Sequence, residues 1–310
     1  MGNAPSDNAL HIVVTCANRK RHTVAPRLRL GDLDRALPAA RFAAWTSRLD
    51  NNSHPRHRAL DLYAGEHWQV ARRLIADVQA SNAMLWVASA GYGLIPADAA
   101  IHAYGATFSA GMPDTVGATV SEVTDWWRRL GDWPGPTPDQ PRTFTELARG
   151  NPGATIIAVL SEAYQRACGD DVLAAADVAA PGAISVVGPA DAHPQLAELL
   201  VPVTAALRHT VGGSLQALNV RVVKHLLTHS AGYDRTALRN AAAAATPVNP
   251  PASRSTGIRM SDDDVRAYIR DHPHNSATQL LRQLRQTGRS CEQARFGRLH
   301  AQACQQGHRS

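Results

Sequence analysis

The chain has 310 residues, of which 44% are hydrophobic, and its formal net charge at pH 7 is +6. This length fits one large domain and one small one, and a basic protein of this kind is attracted to phosphate backbones. No apolar run reaches the ~18 residues of a membrane-spanning helix. The first residues lack the basic-then-apolar pattern of a secretory signal. We therefore expect a cytoplasmic protein without a membrane partner.

Cysteine and histidine spacing argues against a metal centre. Cys16, Cys168, Cys291 and Cys304 include no CxxC pair, so neither a zinc ribbon nor a disulfide framework is indicated. His225 and His229 are four residues apart on a predicted helix, which is a spacing that can bind zinc, but no third ligand accompanies them. We expect reduced thiols, no metal and no other cofactor.

Four short apolar segments predict the buried strands of a sheet, at residues 10–16, 84–88, 155–160 and 184–187. Helical patterns separate or follow them, at residues 66–78, 121–130, from 161 onward, 193–209 and 214–230. Strands that alternate with helices predict an α/β fold with an open, mostly parallel sheet flanked by helices. We assign this domain to residues 1–240.

Residues 241–260 are predicted to be a linker, because alanine, proline and serine occur there without periodicity. Residues 261–310 predict a small all-α domain. Three capping boxes mark its helix starts: Ser261 with Asp264, Ser276 with Gln279, and Ser290 with Gln293. Residues 287–289 (TGR) predict the turn between the second and third helices.

The second and third of these helices have one apolar face each, carried by Ala277, Leu280, Leu281 and Leu284 and by Phe296 and Leu299. The layout is typical of a helix-turn-helix, whose last helix enters a major groove. The predicted DNA-binding side chains are Arg282, Arg285, Arg289, Gln293, Arg295 and Arg298. A three-helix protein-interaction domain is the alternative.

Polar residues follow two of the predicted strands. Cys16 and Asn18 come after the first, and Ser89, Tyr92 and Asp98 come after the second. Ligands bind beyond the carboxyl ends of strands in open α/β sheets, so these residues predict a functional loop. Gly91 and Gly93 would let the backbone approach a ligand closely. The alternative is an ordinary tight turn, with Asp98 capping the segment that follows.

Three segments in this region carry a family resemblance. They are SAGYGLIPAD (89–98) followed by Tyr104, ALDLYAG (59–65), and Thr15-Cys16 with Lys20. In this order, over residues 10–110, they resemble the YaaA/DUF328-like superfamily and its DUF6884-type relatives. The resemblance implies a DNA-associated α/β domain. Members include an oxidative-stress DNA-binding protein and components of systems that modify DNA with deazaguanines. Similar-looking proteins with added DNA-binding segments include phage-defence DNA glycosylases that remove modified bases.

The resemblance implies a DNA glycosylase that acts on duplex DNA with a modified base flipped out, in antiviral defence. The uracil-glycosylase run Gly-Gln-Asp-Pro-Tyr is absent. Asp98 is the first choice for the carboxylate that orients water, followed by Asp61 and Glu66. Further residues are assigned to the base or to DNA: Cys16, Asn18, Tyr63, Ser89, Tyr92, Gly93, His102 and Tyr104 to the base, and Lys20 and Arg21 to DNA.

We expect Asp98 and Asp61 to line one pocket at the carboxyl edge of the sheet, close to Cys16, Asn18 and Tyr92. Two other functions stay open. One is a hydrolase or transferase that modifies a deazapurine base within DNA. The other is a non-enzymatic, stress-related DNA-binding protein.

Overall fold

The computed structural model describes residues 9–33, 37–78, 82–247, 258–272 and 275–307, without the side chains of Asp77 and residues 304–307. The chain divides into two compact units, Met1–Val248 and Asn249–Ser310. Within the described ranges, no helix combines the length and the apolar character that crossing a bilayer requires.

A six-stranded sheet organises the first unit, in the order β4-β3-β1-β6-β7-β8. All neighbouring strands are parallel except β3 and β4. A separate antiparallel pair joins β2 to β5. The strands are β1 (Leu10–Thr15), β2 (Arg56–Arg58), β3 (Ala83–Ser89), β4 (Gly93–Pro96), β5 (Ala100–His102), β6 (Thr155–Val159), β7 (Ile184–Gly188) and β8 (Leu200–Pro202). This confirms the predicted α/β class and the four predicted strands.

Within the described ranges of the first unit, ten α-helices accompany the sheet. They are α1 (Pro38–Asp50), α2 (Ala59–Leu62), α3 (Glu66–Ala71), α4 (Leu74–Asp77), α5 (Val120–Asp132), α6 (Phe144–Gly150), α7 (Glu162–Val178), α8 (Arg208–Val211), α9 (Leu218–His229) and α10 (Arg235–Ala245). Helices α5, α6 and α7 pack together, and α9 packs against α3, α4 and α10. The helix predicted at residues 193–209 is wrong: a 3-10 helix at Pro194–Leu199 leads into β8, which pairs with β7.

The start of the predicted linker is also wrong. Helix α10 is capped by Asp234, whose carboxylate accepts hydrogen bonds from the backbone N–H groups of Thr236 and Ala237, and it continues to Ala245. Alanine has the highest helix propensity, so a run of alanines extends a helix that is already capped. The predicted boundary at residue 240 therefore falls inside a helix. Residues 248–257 of the linker lie outside the described residues.

Strand β4 was not predicted, and it determines where Asp98 lies. The chain turns at residues 90–92, and Gly93 pairs with Ser89. Gly93 has φ +75°, which favours glycine. Strand β4 then runs antiparallel to β3, so that Pro96 pairs with Trp86 and the N–H of Ala97 bonds to Leu85 O at 3.0 Å. Residues beyond β4 are thus carried back toward the amino-terminal edge of the sheet.

The described residues of the second unit form three helices and one pair of short parallel strands. Its elements are β9 (Ile258–Arg259), α11 (Asp262–Arg270), α12 (Ala277–Gln286), β10 (Arg289–Ser290) and α13 (Gln293–Gly307). The core contains the predicted apolar residues, among them Leu280, Leu284 and Phe296. The capping serines Ser261 and Ser276 are confirmed.

The third capping box is wrong. Ser290 lies in β10, where its carbonyl accepts a hydrogen bond from Met260 N at 3.1 Å. Glu292 takes the capping role instead, because its carboxylate accepts from the N–H groups of Ala294 at 2.8 Å and Arg295 at 2.7 Å. Strand pairing at β10 therefore displaces the start of α13 by two residues from the predicted cap.

Candidate active site and nucleic-acid interface

The carboxyl ends of β1 and β6 bring Cys16 and Tyr164 together. Cys16 follows β1, and its N–H bonds to Ala88 O in β3 at 2.9 Å. Tyr164 lies in the first turn of α7, directly after β6. The Cys16 Sγ and the Tyr164 hydroxyl are 3.0 Å apart. Cys16 is half-buried, so this edge of the sheet is partly exposed.

A chain of buried hydroxyl groups continues from this point. The Ser89 Oγ is 2.6 Å from the Tyr104 hydroxyl, which is 3.0 Å from the Tyr63 hydroxyl. The Ser89 Oγ also accepts from the N–H of Tyr92 at 3.0 Å. Burial raises the pKa values of the Tyr63 and Tyr104 phenols well above their ordinary range, so both stay protonated. They act as neutral hydrogen-bonding groups.

Lys20 completes the cluster. Its Nζ lies 4.4 Å from the centre of the Tyr104 ring and 5.8 Å from that of Tyr63. Burial lowers the pKa of the Lys20 amine, while Cys16 and Asp114 act in the opposite direction. We call the group formed by Cys16, Lys20, Tyr63, Ser89, Tyr104 and Tyr164 the amine–phenol site.

The space beside the two glycines that were predicted to admit a ligand is occupied by the protein's own side chains. A Cβ on Gly91 would lie 2.5 Å from the Tyr104 ring. A Cβ on Gly93 would lie 3.1 Å from Leu130 Cβ and 3.2 Å from the Arg142 guanidinium. The close approach that these glycines permit is therefore internal packing, and their predicted contact with a ligand is corrected.

Tyr92 and His102, both predicted to contact a base, are buried and engaged with the backbone. The Tyr92 hydroxyl accepts from His102 N at 3.1 Å. The His102 ring lies between Pro55 O, 3.4 Å from Nδ1, and Arg56, whose Nε donates to Nε2 at 3.3 Å. Burial lowers the pKa of His102, in keeping with a neutral ring that donates to Pro55. Asn18 is exposed between Cys16 and Lys20.

Asp98 and Asp61 lie on neighbouring segments, joined by the bond from Leu60 N to Ala97 O at 2.7 Å, but the cavity that Asp98 borders is not lined by Asp61. Asp98 is exposed and borders a cavity with Arg58, Met84 and Gln140, beside the amino-terminal half of β3. It follows β4, which reverses the chain direction, so the prediction of Asp98 at the carboxyl edge is wrong. Asp61 pairs with Arg72 at 3.3 Å.

Glu66 is likewise already engaged. Its Oε1 accepts from Arg221 Nε at 2.8 Å and from Ser214 N at 3.2 Å. Hydrogen bonding from Ser214, supported by Arg221, lowers the pKa of Glu66, so the carboxylate is ionised and paired. These contacts join α3 to the segment before α9.

Two residues of this region were missed. Tyr164 could have been found by applying the strand-end rule to β6, since parallel strands end at the same edge. Asp114 had no sequence signal: it lies in a turn, accepts from Gly31 N at 3.0 Å, and is 3.8 Å from Arg29. Its charge favours the protonated form of Lys20.

A band of exposed basic side chains borders the site. Arg19 and Arg21 flank Lys20, and the segment is fixed by bonds from Ala64 N to Arg19 O and from Arg21 N to Leu62 O, both 2.9 Å. The rings of His22 and His57 stack at 3.6 Å, which brings β2 alongside. We call the exposed Arg19, Arg21, His22 and Arg56 the cationic strip. Its arginines form no ion pair with any described residue.

The second unit holds most of the net charge. Ten arginines against five acidic residues give it a formal charge of +5, out of +6 for the chain. Among the predicted DNA-binding residues, Arg282, Arg285, Arg289, Gln293 and Arg298 are exposed. Arg295 is not: it pairs with Asp262 and donates to Met260 O at 3.1 Å. The prediction that Arg295 is available to DNA is therefore corrected, since it ties α13 to α11.

His225 and His229 stack at 4.0 Å, and His229 Nδ1 lies 2.8 Å from the His225 carbonyl. No group of three or more potential metal-binding side chains occurs within the ranges that the structure describes. Comparisons of the chain with family models, with curated proteins and with solved structures give no significant match. The function is accordingly inferred from the two sites themselves.

Proposed function

We propose that the protein is a DNA glycosylase that removes a modified base from cytoplasmic duplex DNA, in the setting of antiviral defence. The observation that carries this proposal is the amine–phenol site: a largely desolvated amine and several hydroxyl groups meet at the carboxyl edge of the sheet, directly beside the cationic strip. A base-acting enzyme needs polar groups for a flipped nucleotide and positive charge for the flanking phosphates.

The second unit supports the same proposal. Its formal charge of +5 and its exposed Arg282, Arg289 and Arg298 suit contact with the phosphates of a duplex. The proposal assigns α12 and α13 to a helix-turn-helix, in which the second helix enters a groove. In this proposal the second unit recruits the duplex and the first unit acts on one nucleotide.

The test is base release. The full chain is incubated with duplexes that carry one 7-deazaguanine, one 5-hydroxymethylcytosine or one uracil, and with the unmodified duplex. Free base is measured by mass spectrometry and abasic sites by alkaline cleavage. Release from a modified duplex alone supports the proposal. A base that is altered but stays in the strand assigns the protein to base modification. Binding without any change in the DNA assigns the protein to the non-enzymatic DNA-binding proteins.

A further inference from the structure

Lysine is almost absent from this chain. Of its 32 lysine and arginine residues only two are lysines, Lys20 and Lys224. Everywhere else the positive charge is supplied by arginine, which binds phosphate at least as well. Arginine stays protonated at any physiological pH, whereas a lysine amine can lose its proton and react. A lysine at position 20 is therefore suited to a reaction of the neutral amine, which arginine does not perform.

The surroundings of Lys20 point to the same reaction. Its backbone is held by an antiparallel bridge to Tyr63, so the side chain starts from a fixed position. Its Nζ makes no hydrogen bond or ion pair with any described residue, and its closest aromatic contact is the Tyr104 ring at 4.4 Å. The residue is half-buried, between the exposed Arg19 and Arg21. An amine in this position is poorly solvated, unpaired and still reachable.

We propose that the Lys20 amine is the nucleophile of the site and forms a covalent imine with C1′ of the target nucleotide. This inference rests on the proposed function. The neutral amine attacks C1′, the bond between C1′ and the base nitrogen breaks, and one amine proton passes to the departing base. The sugar ring then opens between C1′ and O4′, and O4′ takes the second amine proton. Water hydrolyses the imine, which returns the amine and leaves an abasic site.

The hydroxyl chain has a positioning role in this scheme. Ser89 and Tyr63 fix the Tyr104 hydroxyl from two sides, so the ring beneath the amine keeps one orientation. Desolvation next to that ring lowers the pKa of Lys20 and increases the neutral, reactive fraction. Lys224 provides the internal comparison, since it lies on α9 outside the amine–phenol site.

The experiment needs no knowledge of the target base, because an abasic duplex presents the same C1′ as an aldehyde. The full chain is mixed with a duplex that carries one abasic site, in the presence of sodium cyanoborohydride, which reduces an imine to a stable amine. The covalent adduct is resolved on a denaturing gel and located by peptide mass spectrometry. We expect the adduct at Lys20, at least ~100-fold less of it in Lys20→Arg, in line with the loss of a catalytic nucleophile, and an unchanged amount in Lys224→Arg.

Absence of an adduct in the unaltered chain would overturn the proposal, and so would an adduct only at Lys224 or at the terminal amine. Because this readout uses the unaltered chain, it does not depend on whether a variant folds. Base release that persists in Lys20→Arg would refute Lys20 as the nucleophile, while the proposed glycosylase function would stand. An adduct at Lys20 without base release from any modified duplex would refute the proposed glycosylase function. It would show only that the Lys20 amine reacts with abasic sites.

Discussion

The hydroxyl groups of Ser89 and Tyr104 lie 2.6 Å apart, although one residue ends strand β3 and the other follows β5. Ser89 already accepts backbone N–H groups from the hairpin turn, so its own proton is free to reach Tyr104. Tyr104 in turn contacts the hydroxyl of Tyr63 at 3.0 Å. This short chain links the hairpin to the segment that carries Tyr63.

Tyr104→Phe should therefore destabilise the first unit, because it leaves the buried Tyr63 hydroxyl without its phenol partner. The expected loss is about 1–3 kcal/mol in the free energy of unfolding, measured by urea denaturation. Tyr233→Phe is the control, since its half-buried hydroxyl makes no hydrogen bond with a described residue. Equal stability of the two variants would show that the hydroxyl chain contributes nothing measurable.

Gly91→Ala should destabilise the same region by overpacking. The added methyl group would meet the Tyr104 ring at 2.5 Å, and the ring is fully buried. The expected cost is about 1–3 kcal/mol. Gly150→Ala is the matched control, because a Cβ there has no neighbour within 4 Å. Thermal unfolding of both variants measures the difference, and a melting temperature of Gly91→Ala that matches the unaltered chain would contradict the packing argument.

Asp98→Asn should leave base release within about twofold of the unaltered chain, far from the ~100-fold or larger loss that removal of a general base produces. The reason is its place: Asp98 borders the cavity beside the amino-terminal half of β3, whereas the amine–phenol site lies at the carboxyl edge. Single-turnover release rates with the responsive duplex provide the measurement. A loss of activity at unchanged stability would return the catalytic role to Asp98.

Arg298→Ala and Arg295→Ala should affect DNA binding in different ways. Arg298 is exposed, and its loss should weaken binding and reduce the salt slope of log K by ~1 if it contacts one phosphate. Arg295 pairs with Asp262, so its removal should lower the melting temperature of the second unit instead. Fluorescence anisotropy at several salt concentrations, together with calorimetry, separates the two effects. An unchanged salt slope in Arg298→Ala would remove this residue from the interface.

Formation of the Lys20 adduct should increase with pH, because only the neutral amine reacts. Its midpoint should lie below the ordinary lysine value of about 10.5, since burial lowers the pKa of Lys20. Among the facing groups, Cys16 and Asp114 raise this pKa and Arg29 lowers it. The Tyr63 and Tyr104 phenols stay neutral. Asp114→Asn should therefore shift the midpoint of the rate profile further down, and an upward shift would contradict this assignment of charges.

Local pattern was sufficient to predict β1, β3, β6 and β7, because buried parallel strands are continuous apolar runs. It was also sufficient for the caps at Ser261 and Ser276, which depend on residues three positions apart. The hairpin at β4 was not predicted, because a four-residue strand gives little periodic signal. As a result SAGYGLIPAD (89–98) was interpreted as one loop, although its two ends are carried toward opposite edges of the sheet.

Prediction of the site was limited in the same way, to residues that have a local sequence signal. Cys16, Ser89, Tyr63 and Tyr104 were predicted to share a site, and the structure places them together. Tyr164 and Asp114 come from distant segments: the parallel register brings Tyr164 to Cys16, and a turn brings Asp114 near Lys20. The ion pairs that engage Arg295 and Glu66 were not predicted either, because an ion pair between residues distant in sequence gives no signal in the local sequence of either partner.

Arg142 has a consequence for how this chain can be cut and rejoined. Its buried guanidinium donates to the carbonyls of Tyr92 and Leu94 on the hairpin and, through Nε at 3.2 Å, to Trp133. The hairpin is thus held by a residue at the start of α6. Asp139, in the proline-rich segment between Trp133 and Arg142, is exposed and has a φ of +61°, so a peptide bond opened there would release backbone strain. Two fragments that meet at this point should reassemble through Arg142, which makes the segment a natural position for a split form.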